Sequence, residues 1–315
     1  MRILITGGAG FIGSHLSEAL LGRGDSIVIV DDLNDFYDPE IKRRNLQGIA
    51  GRGKFNFHNC DIRNAGQLGA IFEHEKPDAV IHLAARAGVR PSLIAPLLYE
   101  EVNVIGTLHL LELCRRMPVN NFVFGSSSSV YGINSKLPFS EDDPIDRPIS
   151  PYATTKRSGE LLAFNYSHLY NVPITCLRFF TVYGPRQRPE MGIHKFTRKI
   201  ISGQEIEVYG DGQSSRDYTY IDDIIAGLLA ALDHPRPFAI YNLGDSSPVT
   251  LNTLIETIER ATGVTAKRKY LPDQPGDVPA TYADINRARL ELGFEPKVDL
   301  QSGINRFVKW YKEFF

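Results

Sequence analysis

The sequence predicts an α/β protein built on a doubly wound parallel sheet, with a smaller mixed α/β domain attached. Three observations carry that expectation. Short β-branched runs alternate with longer helical patterns through the first half of the chain. A glycine-rich turn joins the first strand to the first helix. After Gly184-Pro185 the texture changes to short segments interrupted by Gly and Pro, including the turn Gly210-Asp211-Gly212-Gln213.

Taken in order, residues 2–6, 26–30, 55–58, 79–83 and 121–125 read as strands buried on both faces, and 172–180 continues the sheet with a sixth. Between them 13–23, 66–74, 100–116 and 152–170 read as helices. A helix at 221–232 and a strand at 239–243 resume the alternation. The expected division is therefore a first domain over 1–180 that takes back about 219–243, and a second over 181–315.

Composition excludes several classes of function. Of 315 residues 43% are apolar and 23% charged, which is globular rather than disordered. A formal net charge of −2 gives no general attraction to nucleic acid or anionic membranes, so any anion site must be built locally. The apolar run at 3–5 is too short for a signal peptide, and the longest, 224–232, is too short to span a bilayer. Cys60, Cys114 and Cys176 are odd in number and lack metal-ligand spacing, so they read as core thiols of a cytoplasmic protein. The eight histidines form no metal-binding pattern, and no metal is expected.

The turn Gly7-Gly8-Ala9-Gly10-Phe11-Ile12-Gly13 has the physical features of a dinucleotide site. Its glycines let the backbone turn tightly and approach a pyrophosphate whose charge rests on the helix N-terminus. Asp31 ends the second strand 18 residues beyond Gly13, where a carboxylate accepts from the adenosine ribose and repels a 2′-phosphate. That combination reads as a Rossmann-type NAD site. The basic run Lys42-Arg43-Arg44 reads as a solvated helical face, because Asp31 and Asp32 stand where a 2′-phosphate would lie.

Tyr152 and Lys156 are four residues apart, so both fall on one face of a helix. An unperturbed phenol titrates near pH ~10, and a neighbouring cation favours its phenolate and makes it a usable base. Alone, such a pair is more often a surface pair than a catalytic one. Here, however, the strand at 121–125 runs into the hydroxyls of Ser126, Ser127, Ser128 and Ser129 at the carboxyl edge of the sheet, where open α/β folds bind ligands.

Gly7-x-x-Gly10-x-x-Gly13, the serine run before Val130-Tyr131-Gly132, and Tyr152-x-x-x-Lys156 together resemble the extended short-chain dehydrogenase/reductases. The resemblance runs nearly the full chain and includes His82-Leu83-Ala84-Ala85, Asn103-Val104-x-Gly106-Thr107 and Arg216-Asp217-Tyr218-Thr219. The nucleotide-sugar epimerase branch is most similar. Ala87-Gly88-Val89-Arg90, residues 178–185 and Asp222-Asp223 resemble its members that act on UDP-glucuronate.

The resemblance implies Ser127 as the catalytic hydroxyl, Tyr152 as the base and Lys156 as the residue holding the nicotinamide ribose. It implies an NAD site made by Gly7, Gly10, Phe11, Ile12, Gly13 and Asp31, with Asp61 and Ile62 at the adenine and Leu83, Ala84 and Ala85 lining the cofactor. For the UDP-sugar diphosphate, Arg90, Arg188 and Arg216 are candidate cations, placed on loops rather than on regular faces. Asp277 resembles a late nucleotide contact. Gly125 stands where relatives often carry Ala, and Arg86 where they often carry Gln.

The implied reaction is 4-epimerisation of UDP-glucuronate to UDP-galacturonate through transient oxidation at C4. Related dehydratases and decarboxylases carry carboxylates just before the Val-Tyr-Gly, whereas this chain has Ser128 and Ser129. Neutral hydroxyls there, with Thr181 where neutral-sugar epimerases usually have Asn, suit a sugar bearing a carboxylate. The alternatives are a UDP-glucose/galactose 4-epimerase, a UDP-glucuronate decarboxylase, and a non-catalytic NAD-binding sensor or scaffold. The family also implies a homodimer through the helices at 100–116 and 152–170, though packing within one chain explains their apolar faces equally well.

Overall fold

The computed structural model describes residues 1–134, 136–272 and 280–315. Six strands, β1 (Arg2–Thr6), β2 (Ser26–Asp31), β3 (Asn56–Asn59), β4 (Ala79–His82), β5 (Asn121–Ser127) and β6 (Ile174–Phe179), arise before residue 180. The helices among them are α1 (Phe11–Gly22), α2 (Pro39–Ala50), α3 (Ala65–Glu75), α4 (Val89–Ile94), α5 (Pro96–Glu100), α6 (Gly106–Arg116) and α7 (Pro151–Tyr170). The later strands are β7 (Thr181–Tyr183), β8 (Glu205–Tyr209), β9 (Ser215–Tyr220), β10 (Phe238–Leu243), β11 (Pro248–Thr250), β12 (Lys267–Leu271) and β13 (Ala280–Thr281). Their helices are α8 (Gly192–Ile201), α9 (Ile221–Asp233), α10 (Leu251–Thr262), α11 (Asn286–Leu292) and α12 (Leu300–Phe314).

Seven strands form one parallel sheet in the order β10, β6, β5, β4, β1, β2, β3. This is the expected doubly wound class, with the strand order reversing between β1 and β4. Successive residues serve opposite faces. Ile3, Ile5, Ile27, Ile29 and Ile81 join the core under α1, α2 and α9, while Leu4, Val28, Val30, Val80, Phe122 and Phe124 join the one under α3, α6 and α7. Covering both faces is why these strands are continuously apolar.

Two expectations need correction. The strand predicted at 55–58 is not buried on both faces: β3 is the sheet's edge, paired only with β2, and Asn56 and Phe57 are exposed. The helix predicted at 100–116 is broken, because Glu101–Ile105 takes a π-helical turn between α5 and α6. Such turns recur at functional sites.

Beyond β6, the strands β7, β9, β11 and β13 form a small mixed sheet, and β8 pairs with β12. The chain returns to the large sheet only at β10, which runs parallel to β6. Buried Asp217 ties this region together, accepting from the backbone N–H groups of Asp245, Ser246 and Ala283 at 2.6, 3.0 and 3.0 Å. Among the described residues no helix is long and apolar enough to cross a membrane.

Candidate active site

One crevice opens at the carboxyl ends of β1, β2, β4 and β5, the edge at which the topology places ligands. Its floor is the glycine turn. Gly7 has φ +71°, and a Cβ there would lie 2.7 Å from the Ala84 nitrogen. A Cβ on Gly13 would overlap the Gly7 carbonyl oxygen, so α1 reaches β1 only because both residues are glycine. Gly10 gives α1 no side-chain cap, and no acidic residue sits in its first turn, which leaves the helix start suited to an anion. A dinucleotide pyrophosphate fits this cradle.

Asp31 is buried at the end of β2. Its carboxylate accepts from Ala9 N at 3.1 Å and Leu33 N at 3.0 Å. Burial raises its pKa above the usual carboxylate value, opposed by the nearby Lys42 ammonium. Lys42 corrects the solvated reading of the basic run: it is buried, 3.5 Å from the Asp31 carboxylate and 5.2 Å from the centre of the Tyr37 ring. Arg43 and Arg44 are exposed as expected.

The loop after Asp31 is shaped by its own side chains. Asp31, Asp32, Asn34 and Asp38 each accept a hydrogen bond from the backbone N–H two residues on. The loop carries Phe36 and Tyr37 into the crevice wall, where they line it with Asn34, Arg86 and Arg188.

At the other end, Ser127 closes β5 and Tyr152 opens α7. Ser150 caps that helix by accepting from Ala153 N at 3.1 Å, and Pro151 takes its first position. Ser127, Tyr152 and Lys156 share the crevice with Gly7, Gly10, Phe11, Ile12, Gly13, Asp31, Asp61, Ile62, Leu83, Ala84 and Ala85. The Tyr152 pKa is raised by burial, against a hydrogen bond with Ser127 and the charge of Arg188. Thus the expected lowering by Lys156 gives way to desolvation. Lys156 instead donates to the Gly125 carbonyl at 2.7 Å, lies 5.0 Å from the Phe124 ring centre, and is pushed down to about 8 by burial.

Of the candidate substrate residues, Arg188 lines the crevice and pairs with Glu190 at 3.1 Å. Two of the three arginines are not on loops. Arg90 lies in α4, exposed beside the Tyr209 ring, and Arg216 lies in β9, where the Ser215 carbonyl holds its guanidinium at 2.8 Å. Ser128 and Ser129 form a half-buried 3-10 turn beyond Ser127, and Ser127 donates to the Ser129 hydroxyl at 3.2 Å. Thr181 is half-buried at the start of β7. Asp277 lies outside the described residues. Among those described, no group of three His, Cys, Asp or Glu side chains is placed to hold a metal.

Residues 3–244 match the NAD dependent epimerase/dehydratase family. The chain belongs to that family. It is 46% identical to a UDP-glucuronate 4-epimerase of Thermodesulfobacterium geofontis, over 98% of this chain and 96% of that one. Among solved structures it resembles the UDP-glucuronic acid 4-epimerase of Bacillus cereus in complex with UDP-glucuronic acid and NAD. That match has a TM-score of 0.94 and 37% identity, over 100% of both chains. The UDP-glucose 4-epimerase of Thermotoga maritima with UDP-glucose gives a TM-score of 0.91 and 34% identity, over 99% of both chains.

In this epimerase/dehydratase family member several supporting residues carry no sequence signal of their role beyond the motif they sit in. Asn103, in the π turn, grips the Arg86 backbone at both N–H (2.7 Å) and carbonyl (2.9 Å), and donates to Thr155 at 3.0 Å. His82 bridges the Thr6 and Thr107 hydroxyls at 2.6 and 2.9 Å, joining β1, β4 and α6. Phe36 and Tyr37 had only their place in an Asp/Asn-rich loop to mark them.

Proposed function

We propose that this chain is an NAD-dependent isomerase that inverts C4 of a UDP-sugar, converting UDP-glucuronate to UDP-galacturonate. The observation that carries the reading is the convergence of Ser127, Tyr152 and Lys156 on the same crevice as the glycine turn and Asp31. The high identity to a UDP-glucuronate 4-epimerase and the full-length likeness to a structure holding UDP-glucuronic acid and NAD support it.

Gly7, Gly10 and Gly13 with the start of α1 would hold the NAD pyrophosphate, Asp31 the adenosine ribose, Asp61 and Ile62 the adenine, and Lys156 the nicotinamide ribose. When bound, NAD supplies a reversible hydride acceptor for C4. Tyr152 takes the proton from the sugar 4-hydroxyl and returns it to the opposite configuration. Ser127 hydrogen-bonds the same oxygen in both orientations, and its hydroxyl proton, turned from Ser129 toward Tyr152, stabilises the phenolate. Arg90, Arg188 and Arg216 would supply charge for the diphosphate, and Ser128, Ser129 and Thr181 would present hydroxyls that a C5 carboxylate can accept from.

The test has two parts. Purified protein, once denatured, should release NAD close to one per chain. It should then convert UDP-glucuronate without added cofactor, while a panel of UDP-sugars is read by product identity. Turnover of UDP-glucose alone would favour the neutral-sugar reading, which the likeness to the Thermotoga maritima enzyme keeps alive. A pentose product would favour decarboxylation.

We also infer a cytoplasmic homodimer. In the segments expected to pair, 100–116 and 152–170, Ile105 (45% exposed), Leu161 (53%) and Phe164 (52%) are exposed apolar side chains that a second copy of the chain would cover. The three buried free thiols suit a reducing compartment. A monomeric mass in sedimentation at micromolar concentration would remove the dimer reading.

A further inference from the structure

The loop over residues 32–38 contributes Asp32, Asn34, Phe36 and Tyr37 to the wall of the cofactor crevice, and its ring contact with the far side is made by Phe36, while Tyr37 feels the charges of Arg188 and Glu190. Both the Arg86 and the Arg188 guanidinium carbons lie 5.6 Å from the centre of the Phe36 ring. Arg86 comes from the segment after β4 and Arg188 from the segment after β7, so the ring joins three parts of the chain that have no covalent proximity. Guanidinium groups at this distance from an aromatic face are attracted by the ring quadrupole, more strongly where water is partly excluded. Phe36, Arg86 and Arg188 are all half-buried.

The two arginines differ in what else holds them. Arg188 also pairs with Glu190. Arg86 makes no salt bridge among the described residues; its charge acts on the Asp61 carboxylate at longer range, and Phe36 is its ring contact. Its backbone, by contrast, is fixed on both sides by Asn103. A guanidinium projecting from so rigid a base has its stacking geometry set in advance and loses little freedom on contact. At the other end the loop is anchored locally by its Asp and Asn turns, and Tyr37 by Lys42. The Phe36 side chain, by contrast, is held across the crevice by stacking on the two guanidinium groups.

We propose that Arg86 is a positioning residue for the cofactor, acting through Phe36: it clasps the 32–38 strap across the crevice and slows the escape of bound NAD. This rests on the reading of the crevice as an NAD site. It goes beyond that reading by assigning the retention of the cofactor to a residue outside the glycine turn, the ribose carboxylate and the catalytic group. Retention matters for an isomerase that ends each turnover with its oxidant restored, because a cofactor that stays bound need never be supplied again.

The test is the dissociation rate of NAD from the loaded full-length protein, measured by dilution into an NAD scavenger, for wild type, Arg86→Gln, Phe36→Leu and the double variant. Arg86→Gln should accelerate release about tenfold, the size of one desolvated cation–π contact. Phe36→Leu should do at least as much. In the Phe36→Leu background Arg86→Gln should add nothing, because the clasp is already open. Unchanged release from Arg86→Gln would overturn the proposal, as would an equal acceleration in both backgrounds, which would mean that Arg86 acts on the cofactor's charge directly. Arg86→Lys, which keeps the charge and loses the planar stack, should release NAD nearly as fast as Arg86→Gln. It also provides a second reading if the glutamine variant melts early. A protein that binds no NAD at all refutes the functional reading, whereas NAD bound with release insensitive to residue 86 refutes only the clasp.

Discussion

At the scale of single residues the site is a balance between burial and the groups that offset it. Tyr152 is held above the ordinary phenol value by desolvation, with Ser127 and Arg188 pulling the other way. A phenol in that condition is a poor proton acceptor until a bound reactant changes its surroundings, so the proposed role of Tyr152 as base ties its activation to a filled crevice. Tyr152→Phe removes the proton acceptor and no wall of the crevice. It should lower kcat by about 10²–10⁴ while UDP-sugar affinity, measured by calorimetry, changes little. Near-normal turnover would reduce Tyr152 to a packing residue. The spacing put Tyr152 and Lys156 on one helix face, and the serine run and the family resemblance, not the spacing alone, marked them as a site. The direction of the phenol's shift was not legible, because it depends on how far water is excluded and on Lys156 being committed to the Gly125 carbonyl.

At the scale of elements, α7 is the part that organises the chemistry. Tyr152, Lys156 and Glu160 recur every four residues on one helix face, so the same stripe carries the phenol proposed as the base, the ammonium and a buried acid. Glu160 meets Arg178 of β6 through two contacts, at 2.9 and 3.0 Å, and accepts from Ser126 at 2.6 Å. Arg178 also donates to the Tyr131 hydroxyl at 2.9 Å, and Tyr131 to Asn242 at 2.7 Å. This chain of bonds ties α7 to β5, β6 and β10, starting at Ser126, the neighbour of Ser127. Removing Arg178 leaves the buried Glu160 carboxylate with only the longer, partly exposed contact to Arg157 at 3.2 Å to offset its charge. Arg178→Met should therefore cost about 3–5 kcal/mol, and Arg178→Met with Glu160→Leu markedly less. Urea unfolding of the three proteins measures both. Equal losses in the single and double variants would show that the pair does not act as a unit. None of this was read from the sequence, where Glu160 is one more helical acid. The break at Glu101–Ile105 was also hidden, because its side chains keep a helical pattern while Asn103 is turned inward to grip Arg86.

At the scale of the whole molecule, what the sequence made legible was what repeats or sits at a fixed offset: the strand–helix alternation, the glycine turn, Asp31 and the Tyr-x-x-x-Lys spacing. What it hid was set by contacts between distant segments, such as the exposure of β3 at the sheet edge and the burial of Lys42 against Asp31. Burial of polar groups far apart in sequence has a consequence for the stability of the entire fold. His82 is fully enclosed and its pKa is lowered to about 3 by burial, with Lys156 adding to the effect. Burial likewise lowers His15 and His194 to about 4. The unfolded chain protonates these rings near pH ~6.5, so between there and about 4 it binds more protons than the folded state, and stability falls as pH drops. Asp245 works in the opposite sense: burial and the charges of Asp217 and Asp223 raise it to about 6, so its protonation relieves the fold at lower pH. The net slope mixes both, and a single substitution separates them. His82→Gln should lower stability at pH 8, since it disturbs the bridge between Thr6 and Thr107. It should also recover about 2 kcal/mol relative to wild type on going from pH 8 to pH 5, because the unfolded state no longer gains that proton. Parallel urea titrations at the two pH values decide it. If the variant loses as much stability on acidification as the wild type, His82 is not neutral in the fold and its place between the two hydroxyls has another cause.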